Sequence, residues 1–378
     1  LNILRAVFAL YCLAFVFEND ARAAVVCSGT ETKLSWPAVN PVWEMCWLRP
    51  TQSSGPRGSG LELRQVEYNG FSVLKRAHAP MLFAEYTSST CYRDWKDTNS
   101  SFLAQPAVRN QLGLSNAFTG TTSCDRSAHP TTSYGTCPFQ LPGRTAADCF
   151  AGVAIEDRGD NVMLTTQYSA DWYLYTSRFV FYANGSFDAQ FGFGNRDGTN
   201  NQTTHWHHNY WRLDFDIDGA VNNVLSINNA VQNTEFTSLI SQAGGPGGVE
   251  RTYEVKNTVT GRGYRMSPGR QDYTYPVNQS GRNFHLTDVL GTLYQANEYT
   301  DRGNTNNLND CAMLGNNLAN SQDIGGAGAG SDVVLYYRVG VRDQTGVDSM
   351  ICKSAGPIFT PIGNWNSLLQ DGFEASAN

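Results

Sequence analysis

Residues 205–219 read HWHHNYWRLDFDIDG. Counted in steps of two, His205, His207, Asn209, Trp211, Leu213, Phe215 and Ile217 form one set. Trp206, His208, Tyr210, Arg212, Asp214, Asp216 and Asp218 form the other. Successive side chains of a β-strand point to opposite faces. The segment therefore reads as a strand with one apolar face that begins in two histidines, and a second face that ends in three carboxylates.

Two imidazoles two residues apart on one strand face point the same way. They can share a metal ion at roughly 2.0–2.1 Å per bond. Neutral imidazole suits copper, zinc, iron or nickel. A pair at the mouth of an apolar strand reads as a metal site in preference to two core histidines satisfied by hydrogen bonds. His208 points the other way and is expected at the surface or behind the site. The run from Asp214 to Gly219 begins like an EF-hand loop, but its twelfth position is Leu225 where that loop requires a carboxylate. Asp214 and Asp216 are read either as ligands of a hard cation or as a solvated acidic edge.

Working outward, the composition agrees with strands and turns: 12% of residues are aromatic, only 16% are charged, and 36 are glycine. Residues 61–68, 178–182, 253–256 and 333–341 carry strand patterns. Breaks rich in Gly, Pro, Ser or Thr lie at 51–60, 120–145, 244–248 and 325–330. This spacing predicts an all-β chain folded as a large antiparallel β-sandwich. Residues 104–112 and 234–242 are the two modest helix candidates. With a net charge of -7 and no basic run among its 27 Lys and Arg, the chain is not expected to bind nucleic acid.

At the start, Arg5, the apolar run 6–17 and Ala21-Arg22-Ala23 read as a signal peptide covering 1–23. The run is too short to span a bilayer, so no transmembrane segment is expected in the mature chain, which would be secreted or periplasmic. Cleavage would remove Cys12 from the nine cysteines and leave an even number, compatible with disulfides after export. No CxxC pair is present, which argues against a structural zinc site. The expected organisation is a signal peptide at 1–23, an N-terminal segment at 24–42, a sandwich domain at 43–363 and a tail at 364–378.

The central segment resembles the H-x-H strand of copper amine oxidases, in which the histidines are followed by R-x-D-x-D-x-D-G; Arg212 falls seven residues after His205, as that pattern requires. GLELRQVEYNG at 60–70 with VLKRA at 73–77, CFAGVAIEDRG at 149–159, YEVKN at 253–257 with Gly263, Tyr264 and Pro268, and DVVLYYRVG at 332–340 are similar to further stretches of that family. Each is weak alone. Their shared order over roughly residues 43–345 is more specific, and it covers the family's catalytic domain only.

The resemblance implies a catalytic-domain sandwich, a homodimer, and copper held by His205 and His207. It implies a peripheral calcium-type site at Asp214 and Asp216, with Asp332 joining it. The third copper position falls at Asp343, where the family has His; His285 and His208 are the alternatives. The tyrosine that would become topaquinone is Tyr173, flanked by Trp172 and Leu174 where the family has Asn and an acidic residue. The proton-abstracting carboxylate would be Asp97, in YRDWKDT, with Asp94 the alternative. Cys124 and Cys149 would form a disulfide. The implied reaction oxidises a primary amine with oxygen to an aldehyde, ammonia and hydrogen peroxide. Two other outcomes stay open: a non-catalytic relative that keeps a metal site for binding, adhesion or structure, and an exported copper-site oxidoreductase without topaquinone.

Overall fold

Antiparallel strands make up the regular structure of the computed structural model, which describes residues 25–48, 52–54, 60–86, 91–93, 153–170, 173–195, 205–240, 250–268, 288–295, 322–325, 331–343 and 353–366. One sheet of nine strands has the order β1 (Thr32–Trp36), β2 (Trp43–Leu48), β3 (Glu62–Tyr68), β4 (Phe71–Tyr86), β10 (His205–Phe215), β17 (Val333–Asp343), β16 (Val289–Leu293), β13 (Phe236–Ser238), with β5 (Cys91–Arg93) also paired to β4. The other, of ten, runs β12 (Ala230–Val231), β11 (Asn223–Ile227), β14 (Tyr253–Asn257), β15 (Gly263–Ser267), β19 (Ile358–Ile362), β9 (Phe187–Asn195), β8 (Tyr173–Tyr182), β7 (Asn161–Ala170), β6 (Ala154–Asp157), with β18 (Lys353–Ala355) against β9. The predicted all-β sandwich is what forms.

Aromatic rings lock the two sheets face to face. Trp211 of β10 meets Phe179 of β8 at 4.8 Å between centroids, and Trp43 of β2 meets Phe181 at the same distance. Further along, Phe215 lies 5.8 Å from Phe359, which stacks on Phe187. Such pairs add specific geometry to the area they bury. The indole nitrogen of Trp43 donates to the carbonyl of Tyr182 across the sheets at 2.8 Å. At the β8–β9 turn, Gly185 has φ +86°, and the Tyr68 ring occupies the space a side chain there would need.

β10 lies between β4 and β17 and is buried along its whole length on both faces. Its ladder with β17 is unbroken, from His205 opposite Asp343 to Phe215 opposite Val333. Against β4 the register slips by one residue between Tyr210–Met81 and Arg212–His78. Pro80 falls in that slip. It has no N–H to give a ladder, so a bulge is where an interior strand can accept it.

Residues 234–242, a helix candidate from sequence, instead contain β13. Phe236 stands opposite Gly291 of β16, and the absent side chain of that glycine makes room for the ring. A tertiary fit of this kind outweighs a weak local helix preference. The other helix candidate, 104–112, lies outside the described residues. From the segment at 24–42, β1 adds to the sheet edge and Cys27 is disulfide-bonded to Cys46 of β2. Trp365, in the stretch read as a tail, is buried against Tyr264, Tyr68 and Phe71. No helix among the described residues is long and apolar enough to cross a membrane.

One buried ion pair ties β17 to the segment before β16. The Arg338 guanidinium donates to Asp288 Oδ1 and, at 3.0 Å, to His208 Nδ1. Asp288 Oδ2 accepts the Ile240 backbone N–H at 2.9 Å. Both charged residues are almost fully buried. Removing one partner of such a pair leaves an uncompensated charge, which costs about 3–5 kcal/mol. Arg338→Met should therefore lower the urea-unfolding free energy by about that amount; a change within error would show that the pair is replaceable.

Candidate metal centre

At one end of β10, His205 and His207 are fully buried and their ring centroids lie 4.8 Å apart. The strand parity read from sequence is thus realised: both rings belong to the face that meets the second sheet. β17 places Asp343 directly opposite His205 and Val341 opposite His207. Opposed residues of an antiparallel pair share a face, so position 343 belongs to the face of the two histidines. Burial, then the neighbouring His205 and His208, hold the His207 pKa well below the ordinary histidine value. His207 is therefore a neutral imidazole with a lone pair to offer. A neutral imidazole at His207, with the buried ring of His205 beside it, is the kind of nitrogen donor that suits copper or zinc.

From the other sheet, Tyr175 reaches this pair. Its hydroxyl lies 2.8 Å from His207 Nδ1, in a fully buried contact. Tyr173, the cofactor tyrosine that the resemblance implies, is the first residue of β8, two residues earlier, and pairs with Ala170 and Asn195. Nothing local marks Tyr175, because the contact joins strands of different sheets. A periodic reading of β8, with Phe179 and Phe181 on the core face, is the only signal that would have placed Tyr175 on the same side.

Of the two places expected for His208, at the surface or behind the site, burial excludes the surface. His208 is fully buried and accepts from Arg338 through Nδ1. A guanidinium only donates, so the His208 proton sits on Nε2. Sequence parity placed the ring on the outer face correctly; it could not show that this face of the central strand is covered.

The far end of the same ladder gathers the carboxylates. Asp332 directly precedes β17, so continuing the register sets it opposite Asp216. Carboxylate oxygens of Asp214, Asp216 and Asp332 all lie within 4.8 Å of one another. Asp214 is 1% exposed and so is not part of a solvated edge, while Asp216 and Asp332 are half-buried. Arg212 Nη1 approaches Asp214 Oδ2 at 3.4 Å. Burial, reinforced by Asp214 and Asp332, raises Asp216 to about 7, and burial with Asp214 raises Asp332 to about 6. Burial also raises Asp214, against the opposing pull of Arg212. Asp218 does not join them; its carboxylate accepts from Arg262 at 2.7 Å and Thr260 at 2.6 Å. Cys27, Glu31 and Cys46 also converge, but the two sulfurs are spent in the disulfide. Asp94, Asp97, Cys124, Cys149 and His285 lie outside the described residues.

A two-sheet antiparallel sandwich of this kind is the fold of copper amine oxidases. The chain superposes on a copper-containing benzylamine oxidase from Hansenula polymorpha with a TM-score of 0.58 at 14% identity, the match covering 91% of this chain and 64% of that one. For an amine oxidase from Aspergillus nidulans the values are 0.54 and 14%, covering 96% and 55%. A lysyl oxidase from Pichia pastoris gives 0.51 and 14%, covering 85% and 51%. The chain thus spans between about half and two thirds of the length of these structures. At this identity the likeness is one of fold. No family model and no curated protein sequence matches the chain.

The raised carboxylates have a signed consequence for stability. An unfolded Asp titrates near about 3.9, so between there and neutrality the folded chain holds protons that the unfolded chain has lost. Stability then falls as pH rises through that window. Asp216→Asn should flatten the fall in urea midpoint between pH of about 4 and about 7, measured in chelator, and leave the acid-side midpoint nearly unchanged. An unaltered slope would show that Asp216 ionises normally.

Proposed function

We propose that this chain is a copper-dependent oxidase of primary amines, converting amine, oxygen and water to aldehyde, ammonia and hydrogen peroxide. The observation that carries the reading is the buried pair His205 and His207 at the end of a ladder that sets Asp343 opposite His205. These three residues would hold the metal. Copper, with topaquinone derived from Tyr173, would supply two-electron oxidation of the amine and return of the electrons to oxygen.

The chain's own part is to bind, orient and move protons. Burial in the sandwich keeps both imidazoles dry and holds His207 unprotonated, which leaves its lone pair for the metal. Asp97 is assigned the proton taken from the carbon next to the amine nitrogen. Asp214, Asp216 and Asp332 would hold a calcium-type cation, which lets all three lose their protons. Export and a homodimer belong to the same proposal; the Cys27–Cys46 disulfide supports an oxidising compartment.

A second reading, a metal-binding relative that does not oxidise amines, draws support from Trp172 and Leu174 beside Tyr173 and from Asp343 in place of His. A copper-site oxidoreductase without topaquinone draws on the same substitutions.

Metal analysis of the purified protein, quinone staining and phenylhydrazine titration separate the three. Copper with a phenylhydrazine adduct is expected for the amine oxidase, and Tyr173→Phe should abolish the stain. Copper without an adduct leaves the other two, distinguished by whether any peroxide is released with oxygen and a reducing substrate. The double variant His205→Ala/His207→Ala should lose the copper; a full complement of metal in that variant would exclude the ligand set.

A further inference from the structure

We infer that Tyr175 is the positioning residue of the metal centre: its phenol oxygen accepts the Nδ1–H of His207 and thereby commits Nε2 of that ring to the metal. The inference rests on the reading of His207 as a ligand.

The geometry is that of a hydrogen bond between sheets. The Tyr175 oxygen lies 2.8 Å from Nδ1, and the two rings, 5.4 Å apart, are tilted by 60°. The tyrosine cannot easily swing aside. It is fully buried, and its ring stacks on Phe191 of β9 at 5.6 Å. Further along β8 the core-facing aromatics are Phe179 and Phe181, which fill the sandwich without a hydroxyl. A phenylalanine at 175 would serve packing equally well. A buried phenol needs a polar partner, and His207 supplies one.

Why this matters follows from the chemistry of a neutral imidazole. It carries one N–H and one lone pair, and the partner of one nitrogen decides what the other can do. If Tyr175 donated to Nδ1, the ring proton would sit on Nε2, and that nitrogen could not ligate. With Nδ1–H donating to Tyr175, Nε2 presents its lone pair. Metal-bound histidines are commonly held this way, and loss of such a partner weakens metal binding about 10–100-fold. The bond also fixes the ring plane, so the donor is aimed before metal arrives.

The test uses copper(II) titration against a competing chelator, with electron paramagnetic resonance of the bound ion, on the whole protein and on Tyr175→Phe. The variant is expected to bind copper about 10–100-fold more weakly and with altered hyperfine splitting. Equal affinity with an unchanged spectrum would overturn the role of Tyr175 alone. Tighter binding would overturn it too, since Nδ1 would then be the donor with which the tyrosine competes. No copper on the wild-type chain would defeat the metal reading itself, and this inference with it. Should Tyr175→Phe fail to fold, nitrogen-15 resonances of the zinc-loaded wild-type protein decide: His207 protonated at Nδ1 supports the assignment, and protonation at Nε2 overturns it.

Discussion

The register between β10 and β17 is the constraint on which the rest depends. The two strands run past one another without a slip, from His205 opposite Asp343 to Phe215 opposite Val333. That one alignment composes both chemical ends of the strand pair. At one end it adds a carboxylate position to two imidazoles. At the other it brings Asp332 up to Asp214 and Asp216. Side chains alternate with a period of two, so a shift by a single residue would turn Asp343 and Asp332 to the wrong faces together. The irregularities of the sheet are placed elsewhere, between β2, β3 and β4 and between β4 and β10, with Pro80 in one of the bulges.

Burial of both faces of β10 explains the electrostatics. A strand at the edge, or with one wet face, would leave His208 and Asp214 in water. Here desolvation is the leading cause at His207, Asp214, Asp216 and Asp332 alike. It acts in opposite directions on bases and acids, but towards the same end, the neutral form. The histidines become ready donors. The carboxylates become reluctant anions whose mutual repulsion a bound cation would relieve. Arg338 and Asp288 solve the same problem differently, by pairing.

Much of this was legible in the sequence, and the limits have physical causes. Period-two alternation in 205–217 identified the strand, its faces and its two polar ends, because that signal is local. The aromatic-rich, charge-poor composition indicated sheets. The spacing behind Asp332 and Asp343 singled out the residue just before β17 and the last one on it through a resemblance, without knowledge of the ladder. What stayed hidden required contacts between distant segments. Tyr175 meets His207 across the sandwich, and Arg338 meets His208 along the next strand. The burial of His208 depends on what covers the outer face, which no pattern within β10 records. Residues 234–242 misled because the fit of Phe236 to Gly291 is invisible in either segment alone.

The unbroken ladder also governs how such a chain can change over evolutionary time. Insertions or deletions within β10 or β17 would dismantle both ends at once, so length is held while residue type is free to drift. Position 343 shows where that freedom lies. Aspartate and histidine codons differ by a single base, and either residue at 343 would stand opposite His205 at the same register. Under the proposed metal reading, the residue opposite His205 could therefore be exchanged by point substitution, with the scaffold acting as a fixed socket.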